Sequence, residues 1–150
     1  MEDFEKIYNF ALRFLSYRPR SEQEIRNKLK EKKVPQETIE KLISKLKEKK
    51  FIDDVEFAKK WIESRLRFKP RSLRLIQIEL KQKGIDPETI NNLQLTINDL
   101  EQAKKLVEKK MRSFGKLRMT PEKLGRYLAS KGFDWDTIKR SVDDALGKRV

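Results

Sequence analysis

Three short stretches concentrate the residues of this sequence that are equipped for chemistry, and that chemistry is anion binding. They are Arg18-Pro19-Arg20, then Arg65, Arg67, Lys69-Pro70-Arg71 and Arg74, then Arg112, Lys116 and Arg118. A guanidinium presents paired N–H donors that fit a phosphate or carboxylate. A Ser or Thr stands close behind each stretch, at Ser21, Ser72 and Thr120, where it reads as a helix N-cap. Arginines beside a capped helix start would converge with free backbone N–H groups and the positive end of the helix dipole. Arg26, Lys83 and Arg126, on the helices that follow, extend the same basic stripe. Nothing here reads bases, so any nucleic-acid contact is expected at phosphates and should weaken with salt.

Other chemistries are poorly supplied. The chain has no cysteine and no histidine. Disulfides and thiolate metal sites are therefore absent, and the commonest general base is missing. No Gly-rich phosphate loop, nucleophile–base pair or metal cluster stands in its place. No enzyme, metal or cofactor is expected. No apolar run approaches the length of a membrane span, and the first residues are acidic where a signal peptide would be basic. The expected compartment is the cytoplasm. The net charge of +13 over 150 residues points to a polyanion or to a partner with an acidic groove.

The elements that must position these loops form a repeat. Ser21, Ser72 and Thr120 align, followed at helical spacing by Ile25/Leu29, Ile76/Leu80 and Leu124/Leu128. Lys33, Gly84 and Gly132 then stand where a helix should end in a left-handed residue, with Val34, Ile85 and Phe133 just beyond. Thr38-Ile39, Thr89-Ile90 and Thr137-Ile138 open a third helix. A first helix precedes each set, opened by Asp3, by Asp53 with Glu56, and by Asn98 with Glu101. No period-2 alternation appears, so no sheet is expected. The fold class is all-α: three tandem three-helix, helix-turn-helix-like repeats over residues 1–50, 51–97 and 98–150, stacked into an elongated, curved array.

The charge follows the repeat. Residues 13–33, 59–83 and 104–131 carry +5, +7 and +8, whereas residues 86–97 and 134–146 each carry −2. Stacking would line the first loops and second helices into one positive stripe. Phe10, Phe14, Phe57 and Trp61 read as core and inter-repeat packing, with base stacking as the alternative, and Trp135 either caps a bundle end or lies exposed. Leu75 and Ile78 are surplus to the core stripe and point either to a helix buried between neighbours or to an exposed apolar patch. Lys33 in the left-handed conformation would cost roughly 1 kcal/mol.

Several segments resemble the RecX regulatory proteins. Tyr8-x-x-Ala11-Leu12-Arg13-x-Leu15-x-x-Arg18-Pro19-Arg20-Ser21-x-x-Glu24-Ile25-Arg26-x-Lys28-Leu29 is similar to that family's first repeat. Phe51-Ile52-Asp53-Asp54-x-x-Phe57-Ala58 resembles the aromatic–aliphatic–Asp-Asp segment that opens its second. Glu79-Leu80-x-x-Lys83-Gly84-Ile85 and Leu128-Ala129-x-Lys131-Gly132-Phe133 fit the helix ends of the second and third. Two turns depart from the pattern: Phe68-Lys69-Pro70-Arg71-Ser72 replaces a loop that often holds glycine, and Lys50 stands where glycine is usual. The resemblance implies a protein that binds in the groove of RecA–DNA filaments and spans neighbouring protomers. It further implies inhibition of ATP hydrolysis, strand exchange and coprotease activity, and modulation of recombinational repair and the SOS response. Asp53 and Asp54 would cap the second repeat's first helix rather than bind metal. The expected partners are the RecA filament and, weakly and without sequence preference, single- or double-stranded DNA phosphates. No membrane partner is expected, and the chain should be a monomer. The competing reading is a sequence-independent nucleic-acid-binding helical module, against which the acidic third helices count.

Overall fold

The computed structural model describes residues 3–93, 97–114 and 119–147. Among them every regular element is a helix: α1 (Phe4–Tyr17), α2 (Glu22–Glu31), α3 (Gln36–Glu48), α4 (Asp54–Phe68), α5 (Leu73–Gln82), α6 (Pro87–Asn92), α7 (Asp99–Phe114), α8 (Pro121–Ser130) and α9 (Trp135–Leu146). They form the three tandem three-helix repeats that the sequence pattern predicts.

Side chains outside the helices satisfy the N–H groups that the first turns leave orphaned. Ser21 Oγ accepts from Glu24 N at 3.2 Å, while the Glu24 carboxylate accepts from Ser21 N at 3.0 Å, completing a capping box. Ser72 accepts from Leu75 N at 3.1 Å and Thr120 from Lys123 N at 3.2 Å. Asp53, Asn98 and Asp134 do the same for α4, α7 and α9. Pro35 opens α3 with no side-chain cap.

The second helices end alike. Val34, Ile85 and Phe133 N–H groups reach back to the carbonyls of Leu29, Leu80 and Leu128, and the residue before each reaches back three positions. This paired bonding needs a left-handed residue, and Lys33, Gly84 and Gly132 take it with φ of 63°, 81° and 87°. Lys50 (φ 61°) ends α3 in the same way. A Cβ in this region costs about 1–2 kcal/mol. Lys33→Gly and Lys50→Gly are each expected to stabilise the protein by about 0.5–1 kcal/mol, after glycine's own entropic cost. Thermal denaturation followed by circular dichroism checks this; a lower melting temperature would contradict it.

Two compact units organise the chain. One comprises Met1–Lys60 with Leu80–Asn92, the other Trp61–Glu79 with Leu93–Val150. The core of the first gathers Ile7, Ala11, Ile25, Leu29, Ile39, Leu42, Ile43, Leu46 and Ile52. That of the second gathers Ala103, Leu106, Val107, Leu124, Leu128, Phe133, Ile138 and Val142, with α9 packed on α7 and α8. The second repeat is divided between the units because each unit contains a joint between repeats.

The two joints share one design. In the first unit, Ser21 Oγ donates to the Lys83 carbonyl at 2.7 Å and Glu22 N–H donates to Asp54 Oδ1 at 2.9 Å. In the second, Ser72 N–H donates to the Lys131 carbonyl at 3.0 Å and Leu73 N–H donates to Asp99 Oδ1 at 2.9 Å. Both serines are fully buried. A Cβ on Gly84 would lie 2.4 Å from Gln23 Cβ, and one on Gly132 would lie 2.4 Å from Ser72 Oγ and 2.9 Å from Leu75 Cβ. The glycines therefore supply close approach as well as a left-handed turn. Asp54 does not cap its own helix as the sequence suggested. Asp53 does that, and Asp54 turns to the first residue of α2.

Candidate anion-binding surface

The first loop is electrically closed. Arg18 meets Glu24 at 2.5 Å, and Lys83 meets the same carboxylate at 3.2 Å. Burial pushes the Glu24 carboxyl up, but hydrogen bonds from Arg18, Ser21 N–H and Lys83 outweigh it and hold it below the usual range. Arg26 is shared between Glu22 (2.8 Å) and Glu40 (2.6 Å). Burial likewise works against ionised Glu22, and hydrogen bonds from Lys47 and Arg26 overcome it. The Arg26 hydrogen bond holds Glu40 down at about 2. The Arg20 guanidinium lies over Phe14, 3.9 Å from the ring centroid, with its Nε buried and without a hydrogen-bond partner among the described residues.

These depressed carboxyls make a pH prediction. Their stabilisation is complete above the unfolded glutamate value of about 4.5 and is lost as pH falls through the folded values. Asp54, raised chiefly by burial, works in the opposite direction and gains as it protonates. The three glutamates outnumber it, so the melting temperature should fall as pH is lowered from 4.5 toward 2. Glu24→Gln should flatten part of that fall, and an unchanged slope in this variant would contradict the assignment.

The second loop has one acid at its centre. Glu79 accepts from Trp61 Nε1 at 3.0 Å and Arg65 Nε at 3.2 Å, and pairs with Arg71, whose side chain is 11% exposed. Arg65 also lies over the Trp61 ring at 4.3 Å. Glu79→Gln leaves Arg71 half-buried without its counter-charge. A loss of about 2–4 kcal/mol is expected by urea denaturation, toward the lower end because the group is not fully enclosed.

Around this centre the positive charge is in excess. Lys131 is lowered first by burial, then by the charges of Arg71, Lys69 and Lys110, with Glu79 acting against them. Lys110 and Lys131 both approach the Tyr127 ring, at 4.3 and 5.7 Å. Arg67, Lys69 and Arg74 are exposed and form no ion pair among the described residues. Cations held against one another at a surface are a standing site for an anion.

Arg112 and Arg126 are exposed on α7 and α8, and Lys116 and Arg118 lie outside the described residues. Five predicted site residues, Arg18, Arg26, Arg65, Arg71 and Lys83, are thus internal ion-pair members, whereas Arg67, Lys69, Arg74, Arg112 and Arg126 are exposed and have no such pair among the described residues. Lys110, Lys131 and Tyr127 were not singled out by the sequence. The available signal was that Lys131 precedes Gly132 as Lys83 precedes Gly84.

One expectation needs correction. The N–H groups at the starts of α2 and α5 are not free for phosphate, because Asp54 and Asp99 occupy their first residues and the serines their third. Trp135 is 74% exposed and, with Gly125, Ala129, Ile138 and Val142, lines an apolar cleft of about 480 Å³. Leu75 does pack at a joint, against Gly132, while Ile78 stays partly exposed. No described helix is long and apolar enough to cross a membrane.

The repeat geometry matches a known pattern. Models of the first, second and third three-helix domains of RecX match residues 8–46, 53–92 and 98–142. The chain belongs to the RecX family. It is 35% identical to the regulatory protein RecX of Prosthecochloris aestuarii, covering 96% of each chain. It is 34% identical to the regulatory protein RecX of Oceanobacillus iheyensis over 94% of this chain, and there it spans only about half, 54%, of the relative's length. Among solved structures, RecX from Lactobacillus salivarius superposes with a TM-score of 0.75 at 26% identity, covering 97% of each chain. The chain is therefore a RecX-family regulatory protein with all-α, three-helix repeats.

Proposed function

We propose that this RecX-family protein binds RecA filaments on DNA and inhibits their ATPase, recombinase and coprotease activities, modulating DNA repair and the SOS response. It acts by binding rather than by catalysis, as a monomer in the cytoplasm. The observation that carries this reading is the excess of cations around the second loop, where Arg67, Lys69 and Arg74 remain open to an anionic partner. Arg112 and Arg126, with Lys116 and Arg118, would extend that surface. Arg18, Arg20, Arg26, Arg65, Arg71 and Lys83 would shape and orient it. DNA contact would be to phosphates, weak, and strongly salt-dependent.

The test is a titration of the purified protein into RecA hydrolysing ATP on single-stranded DNA, with binding to bare DNA as control. Inhibition well below one molecule per RecA protomer, with weak binding to bare DNA, is expected. An unchanged ATPase with tight binding to bare DNA would overturn this reading in favour of an independent nucleic-acid-binding module.

A further inference from the structure

The joint that links one repeat to the next occurs twice, and it has three requirements. The helix that receives the next repeat needs a free N–H on its first residue: Glu22 and Leu73 supply it. The arriving repeat needs a carboxylate on the first residue of its first helix: Asp54 and Asp99 supply that. The arriving repeat also needs a residue without Cβ at the left-handed end of its second helix, because a Cβ on Gly84 would fall 2.4 Å from Gln23 of the receiving helix and one on Gly132 would fall 2.4 Å from Ser72, the cap of the receiving helix. An interior packed to crystal density has no room for such an atom.

The two outer faces of the chain lack all three. On the first repeat, Phe4 stands at the carboxylate position; it stacks with Tyr8 and packs on the repeat's own core. Lys33, with a long side chain at φ 63°, stands at the position that must be glycine. On the third repeat, the first residue of α8 is Pro121, and proline has no N–H to donate. Its neighbour Thr120 is exposed, where Ser21 and Ser72 are buried.

We propose that the first and third repeats are closed against this joint, so that a second copy of the chain cannot be added head to tail through it. The three positions Phe4, Lys33 and Pro121 are the stops. They keep a repeat protein that is built from mutually adhesive units as a single chain. The inference rests on the joints alone and stands or falls independently of the RecA reading.

Complementary variants, each with one end opened, test it. Pro121→Ala restores the N–H on α8. Phe4→Asp with Lys33→Gly restores the carboxylate and the close approach on the first repeat; Phe4→Asn, which keeps an acceptor without the charge, replaces it should the aspartate variant not fold by circular dichroism. Light scattering after size exclusion reads the mass. The wild type and each variant alone should remain at one chain, 18.0 kDa, at every concentration. Mixing the two variants should give a species of twice that mass. Folded variants that stay at one chain when mixed would overturn the proposal, as would a wild-type mass that rises with concentration.

Discussion

Gly132→Ala should lower stability by about 3 kcal/mol, the largest effect expected of any single methyl group in this protein. Two costs combine. The backbone at φ 87° is unfavourable for a residue with Cβ, by about 1–2 kcal/mol. The added atom would also meet Ser72 Oγ at 2.4 Å and Leu75 Cβ at 2.9 Å, and overpacking of this kind costs about 1–3 kcal/mol. Ser72 is fully buried and caps α5, so it cannot retreat without giving up its hydrogen bond to Leu75. Gly84→Ala should behave similarly against Gln23. Lys33, at the equivalent place in the first repeat, has no such neighbour, so Lys33→Ala should be nearly neutral. Urea denaturation of the three variants checks the contrast; a cost of only about 1–2 kcal/mol at Gly132 and Gly84 would mean that backbone strain alone governs them.

The second large effect is on binding. Arg67→Gln/Lys69→Gln/Arg74→Gln removes three exposed cations that no described acid neutralises. If each meets one phosphate, the slope of log affinity against log salt should shrink by about 2–3. Affinity for DNA at low salt should fall on the order of a hundredfold. Stability should barely change, because these side chains hold nothing internal. Arg26→Gln should do the reverse: it breaks the links to Glu22 and Glu40 and leaves the binding surface intact. Fluorescence anisotropy with a labelled oligonucleotide across a salt series, alongside thermal melts, separates the two classes. Equal losses of binding in both variants would contradict the division.

The repeat, its caps and its helix ends were legible in the sequence because they are local. A serine three residues before a backbone N–H, or a glycine after a fixed number of helical residues, writes its role into spacing. Lys33 was readable as a strained left-handed residue for the same reason. The joints were not legible. That Asp54 serves α2 rather than α4 depends on a contact between residues 22 and 54, and sequence spacing carries no trace of it. The same holds for the binding surface. A run of arginines shows where positive charge lies but not which guanidinium an acid has claimed; Glu24 and Glu79 decide that from inside the fold.

In the proposed function, uncompensated charge around the second loop engages the RecA–DNA filament. The most direct measurement is co-sedimentation of the protein with preformed RecA filaments on single-stranded DNA, for the wild type, the Arg67/Lys69/Arg74 triple variant and Arg26→Gln. The wild type and Arg26→Gln should pellet with filaments to the same extent below the Arg26→Gln melting temperature, and the triple variant should stay in the supernatant. A triple variant that pellets like the wild type would show that the filament is held by some other surface.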